Sequence, residues 1–143
     1  MSTTLTPNLM TDSINDSIAF YRDHLGFSFV VGVPFDSETM HTGNPDATPL
    51  QWAMIEHEGA NLMLQARDSL AHDYAPLGQA SIGASATLYL EVGDLDALLE
   101  RVGNQVEIVL PERVTFYGMR ELWIRDNNGY LLTLAEKGKQ TNG

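Results

Sequence analysis

Leu122 and Ile124 alternate with Glu121, Trp123 and Arg125, and Leu132 and Leu134 alternate with Leu131, Thr133 and Ala135. A period of two marks half-buried strands with one dry and one wet face. Asp126-Asn127-Asn128-Gly129 joins them with residues that tolerate positive φ, so a hairpin is expected. Upstream the period changes. Ile14, Ile18, Tyr21 and Leu25 recur at helical spacing, with Ser13 and Asp16 placed as a capping box and Gly26 as the stop. Asp94 likewise opens a helix carrying Leu95, Leu98, Leu99 and Val102, which Gly103-Asn104 ends.

The remaining segments complete a repeat. Leu5, Leu9 and Thr11 alternate with Thr6, Asn8 and Met10 around Pro7, which suits a short strand at a sheet edge or hinge. Residues 27–33 are rich in β-formers, residues 50–58 and 61–65 form a hairpin around Gly59, and strands are expected at 86–92 and 106–110. The order β-α-β-β-β therefore occurs twice: repeat one over about 4–66, a connector at 67–83, and repeat two over about 84–136. The fold class predicted is α+β, two βαβββ repeats forming a curved mixed sheet, a cup, with one main helix per repeat. Residues 1–136 make one domain, and 137–143 a polar, apolar-poor tail. Sliding Gly59 onto Gly129 sets Met54 on Ile124 and Trp52 on Leu122, so Trp52 is expected to pack against the first helix.

With the Leu/Ile face given to the helices, the other face of the strands carries Thr6, Asn8 and Met10, then Asn61, Met63 and Gln65, then Thr87, Tyr89 and Glu91, and finally Leu131, Thr133 and Ala135. Glu121 and Trp123 join them. Phe35, Phe116 and Tyr117 sit at loop ends, where they would rim a cup.

Composition narrows the function classes. The 143 residues suffice for one core, and the lack of cysteine excludes disulfides and thiolate metal sites and suits a reducing, cytoplasmic compartment. No apolar run is long enough to span a membrane, and residues 1–12 lack the basic and apolar regions of a signal peptide. A net charge of −11 argues against nucleic acid as a partner and is compatible either with plain solubility or with a cationic ligand. His24, His41, His57 and His72 show no helical metal-site spacing, and no phosphate loop or nucleophile elbow occurs.

The paired units, the run Ser17-Ile-Ala-Phe-Tyr-Arg-Asp-His-Leu-Gly-Phe27 and the run Arg125-Asp-Asn-Asn-Gly129 together resemble the glyoxalase/bleomycin-resistance/extradiol-dioxygenase group, the vicinal oxygen chelate superfamily. Pro7 in the first strand and Gly118-Met-Arg-Glu-Leu before Arg125-Asp126 are most similar to its bleomycin-resistance branch. The resemblance implies four metal-ligand positions in ion-holding members, which fall here on Thr6, Met63, Thr87 and Thr133. Hydroxyls and a thioether are poor ligands for the divalent ions of such sites, so neither a metal nor another cofactor is expected. The resemblance also implies a homodimer with pockets shared between chains, in which Pro7 would act as a hinge for strand exchange.

Two functions remain beside a third possibility, an interaction module with an empty cup. The first is a metal-independent binder of a cationic or aromatic small molecule such as an antibiotic, with Thr6, Asn8, Met63, Thr87, Tyr89, Tyr117, Glu121, Trp123 and Thr133 facing the ligand. The same aromatics would serve equally as core or interface filling. The second is a lyase or isomerase of the superfamily with a non-standard site, using Glu121 or Glu91 as a base.

Overall fold

Two compact units, Met1–Ile82 and Gly83–Gly143, divide a computed structural model that describes residues 2–83 and 85–138. The first unit runs β1 (Asn8–Thr11), α1 (Ile14–Leu25), β2 (Ser28–Pro34), β3 (Leu50–His57) and β4 (Ala60–Ala66), followed by a short α2 (Arg67–Asp73). The second runs β5 (Thr87–Glu91), α3 (Leu95–Val102), β6 (Glu107–Val114), β7 (Met119–Arg125) and β8 (Leu131–Lys137). Each unit is a four-stranded mixed sheet with the same connectivity, β1-β4-β3-β2 and β5-β8-β7-β6. In each, the first strand pairs parallel with the last and the other pairs are antiparallel. The chain is α+β and built from two βαβββ units, as the periodicity predicts.

Local chemistry sets the helix ends. Ser13 Oγ accepts from the Asp16 N–H at 3.2 Å, satisfying one orphan donor of α1, and Gly26 closes the helix at φ 82°. Ile14, Ile18, Tyr21 and Leu25 are buried on the sheet-facing side of α1 together with Leu50, Ala53, Ile55, Leu62 and Leu64. Each of the Leu and Ile side chains contributes about 1.5–3 kcal/mol of burial. In the second unit Asp94 caps α3 by accepting from the Ala97 N–H at 3.0 Å, and Leu95 and Val102 are buried with Leu122, Ile124, Leu132 and Leu134.

Several expectations are corrected. β1 begins only at Asn8, so Thr6 lies ahead of it; Pro7 has no N–H to donate, yet its carbonyl accepts from the Met63 N–H at 2.9 Å. β1 does lie at a sheet edge. The connector holds α2 and a 3₁₀ turn at Ala75–Gln79, tied by Arg67 donating to the carbonyls of Gly78 (3.1 Å) and Ala80 (2.7 Å). Because α2 buries no residue, it left no apolar periodicity to read. Trp52 does not face α1. It is paired with Gln65, whereas Ala53 and Ile55 pair with the buried Leu64 and Leu62. β6 continues past Pro111 to Val114 through two irregularities, beyond the expected end at Leu110. Lys137 closes β8, and the rest of the expected tail, from residue 139, lies outside the described residues. No helix among the described residues is long and apolar enough to cross a membrane.

Candidate functional site

The face of the second sheet turned away from α3 gathers most of its chemistry around one carboxylate. Leu122, Ile124, Leu132 and Leu134 occupy the buried helix side, so the alternating positions Glu121, Trp123, Thr133 and Ala135 point the other way. Tyr89 pairs with Thr133 across β5 and β8, Trp123 with Thr133 across β7 and β8, and Arg113 with Glu121 across β6 and β7. Tyr117 comes from the β6–β7 turn. That turn is set by Gly118 at φ 86° and by Thr115, whose carbonyl accepts from the Gly118 N–H and whose hydroxyl accepts from the Met119 N–H, both at 3.0 Å.

Glu121 is 3 % exposed. The hydroxyls of Tyr89 and Tyr117 both donate to its Oε2 at 2.8 Å, while Nη2 of Arg113 stands 3.7 Å from Oε1. A carboxylate removed from water requires such donors, since an unpaired buried charge is costly. Tyr89 is pushed up to about 12, first by desolvation of its hydroxyl against the buried group and then by the hydrogen bond to Glu121. Tyr117 is also raised, chiefly by its hydrogen bond to Glu121. Both phenols therefore remain protonated donors at neutral pH. Their rings are about half exposed, and Phe116 beside them is fully so, meeting Tyr117 edge to face at 4.9 Å between ring centroids. Two residues along β7, the indole N–H of Trp123 is buried without a hydrogen-bond partner among the described residues.

The other expected site residues are dispersed. Thr87 is exposed at the start of β5, opposite Leu131. In the first unit Asn8 pairs with Met63, and its amide donates to Gln65 Oε1 at 2.9 Å; Gln65 in turn donates to Ser69 and Asp73 at 3.0 Å, fastening α2. Thr6 stands half-buried ahead of that strand. Sequence reasoning missed the Gln65 cluster and Arg113. The signal for Arg113 was its alternation within β6, hidden by Pro111.

A concavity of about 750 Å³ opens on the helix side of this unit, lined by Asp94, Asp96, Glu100, Arg120 and Lys137 among others. Its Arg120 is committed to Asp96 (2.8 Å), Glu112 (2.7 Å) and Glu136 (3.1 Å), which pin β7 to α3 and its neighbouring strands, and the hydrogen bonds to Asp96 and Glu112 raise its pKa.

The family model for the Glyoxalase/Bleomycin resistance protein/Dioxygenase superfamily matches residues 4–134. No curated protein matches the chain. Among solved structures, a protein of unknown function from Agrobacterium tumefaciens str. C58 is similar at 22% identity and a TM-score of 0.70, covering 96% of this chain and 95% of that one. A glyoxalase-related enzyme from Fulvimarina pelagi is similar at 17% identity and TM-score 0.69, with coverage of 96% and 89%. A glyoxalase/bleomycin resistance protein/dioxygenase family enzyme from Burkholderia phytofirmans PsJN is similar at 14% identity and TM-score 0.70, with coverage of 92% and 96%. At these identities the likeness is one of fold.

Proposed function

We propose that this chain, which belongs to the Glyoxalase/Bleomycin resistance protein/Dioxygenase superfamily, is a metal-independent small-molecule binding protein of the bleomycin-resistance kind, sequestering a cationic or aromatic antibiotic. The observation that supports it is the buried Glu121 carboxylate, ringed by two half-exposed tyrosines and a fully exposed Phe116. Aromatic faces and a carboxylate are what a flat or positively charged organic molecule needs. The donor set at Thr6, Met63, Thr87 and Thr133 does not fit a divalent ion, so no metal enters this reading. Its cytoplasmic setting and a homodimer with shared pockets belong to the same proposal.

Calorimetric titration and thermal melts of the full chain with metal-free bleomycin and phleomycin test it. Saturable heat and a melting temperature that rises with ligand concentration are expected. No heat and no shift at ligand excess would reject the antibiotic. The burial of Glu121 also favours a second reading, a lyase or isomerase using that carboxylate as base; turnover of a small polar substrate that is lost in Glu121→Gln would select it.

A further inference from the structure

The Glu121 group is unevenly satisfied, and the unevenness points to the charge of its ligand. Oε2 already accepts two phenolic O–H bonds at 2.8 Å. Oε1 has no hydrogen-bond donor among the described residues, only the Arg113 guanidinium at 3.7 Å, beyond hydrogen-bond reach. Arg113 is poorly held. Its side chain is 60% exposed, and it projects from β6, an edge strand irregular between Leu110 and Arg113. The Arg113 end of the pair stands in water, where solvent and salt screen it and ordering a long side chain costs entropy, so the counter-charge is weakly fixed although Glu121 itself is buried. A buried carboxylate with a spare acceptor oxygen and a loose counter-charge will exchange that counter-charge for a better one.

We infer that Arg113 is a built-in stand-in for the positive charge of the ligand, and that a protonated amine or guanidinium on the ligand displaces it from Oε1 of Glu121. The incoming cation forms the hydrogen bond that Arg113 does not make. It also meets the half-exposed faces of Tyr89 and Tyr117, and an aromatic body attached to it finds Phe116. A neutral alcohol can donate the hydrogen bond but brings no charge, and an anion brings neither. The inference rests on the binding reading above but specifies the ligand class, an organic cation carrying an aromatic group, and gives Arg113 a role opposite to that of an ordinary binding residue: it competes.

Ligand-observed NMR titrations of the full chain with phenethylammonium, phenethyl alcohol and phenylacetate, repeated on Arg113→Ala and Glu121→Gln, test it. Phenethylammonium should bind at least about 10-fold more tightly than the alcohol, and phenylacetate should be weakest. Arg113→Ala should tighten the ammonium several-fold, and Glu121→Gln should weaken it about 10-fold or more. Equal affinity for the alcohol, a preference for phenylacetate, or an Arg113→Ala variant that binds the ammonium no better than the parent would overturn the inference. Should Glu121→Gln fail to fold, Arg113→Ala decides alone, because its side chain is exposed on an edge strand. Bleomycin separates the two levels. If bleomycin binds while the ammonium is indifferent to both substitutions, the stand-in is wrong and the binder stands. If the ammonium behaves as expected and bleomycin does not bind, the antibiotic is wrong and the cation subsite stands.

Discussion

The hydroxyl of Tyr89 reaches Oε2 of Glu121 at 2.8 Å although their strands, β5 and β7, are not neighbours. It crosses β8 above Thr133 and Ala135, the partners of Tyr89 and Glu121 respectively. Two small side chains in the intervening strand leave room for the long phenol to lie across the sheet. Ala135, fully buried, is the tighter point. Ala135→Leu should therefore block the crossing and destabilise the unit by about 1–3 kcal/mol through overpacking. Tyr89→Phe keeps the packing and loses only the bond. A thermal melt should rank Ala135→Leu below Tyr89→Phe, with both below the parent; a neutral Ala135→Leu would mean that the crossing is not constrained.

Desolvation of the Tyr89 hydroxyl, together with this bond, makes stability fall at alkaline pH. The phenol of Tyr89 is raised from 10 to about 12 in the folded chain, so between those values the folded state holds a proton that the unfolded state has released. The contribution is complete below pH 10 and lost as pH rises through about 12. Tyr117, raised by the same carboxylate, acts in the same direction. Unfolding midpoints in urea should decline across this window, and Tyr89→Phe should flatten the decline. An identical slope in the variant would remove Tyr89 as its source.

Local signals were readable and register was not. α1 was legible because its four apolar positions, the Ser13 cap and the Gly26 stop all lie within one short stretch. The two hairpins share a glycine but not a loop. Glu58 and Gly59, at φ 48° and 90°, make a two-residue turn with His57 facing Ala60, whereas Arg125 faces Leu131 across five residues. Aligning Gly59 with Gly129 therefore displaced β3 by one residue against β7, and one residue exchanges the faces of a strand. That is why the alignment sets Trp52 against α1, while Glu121 and Trp123, which alternate with the helix-facing Leu122 and Ile124, fall on the far side of β7. Arg113 was hidden for another reason: Pro111 reads as a strand end, but an edge strand tolerates it.

The corrected register yields a paired test. Ile55 is completely buried on the α1 side and its neighbour Met54 is only partly buried on the other. Ile55→Ala should cost about 2–5 kcal/mol, by lost burial plus the cavity left behind. Met54→Ala should cost about 1 kcal/mol. Chemical denaturation of the two variants measures the difference directly, and a larger loss for Met54→Ala would restore the displaced register.

Thr11 and Ser17, both completely buried, join the end of β1 to α1 through hydroxyls 2.7 Å apart. Thr11 Oγ1 also lies 3.2 Å from the Ser13 carbonyl, to which it can donate, and 3.3 Å from the Ser13 N–H, from which it can accept. One hydroxyl has a single proton, so when it donates to the carbonyl, Ser17 must be the donor between the two side chains. The strand end is thus tied to the residue that caps the helix. Thr11→Val preserves shape and removes the hydroxyl, taking polar partners from groups that stay buried, at a cost of about 1–3 kcal/mol. Urea unfolding should show a lower midpoint with an unchanged slope, the sign of lost stability without a change in the surface exposed. A midpoint equal to that of the parent chain would show that packing alone joins β1 to α1.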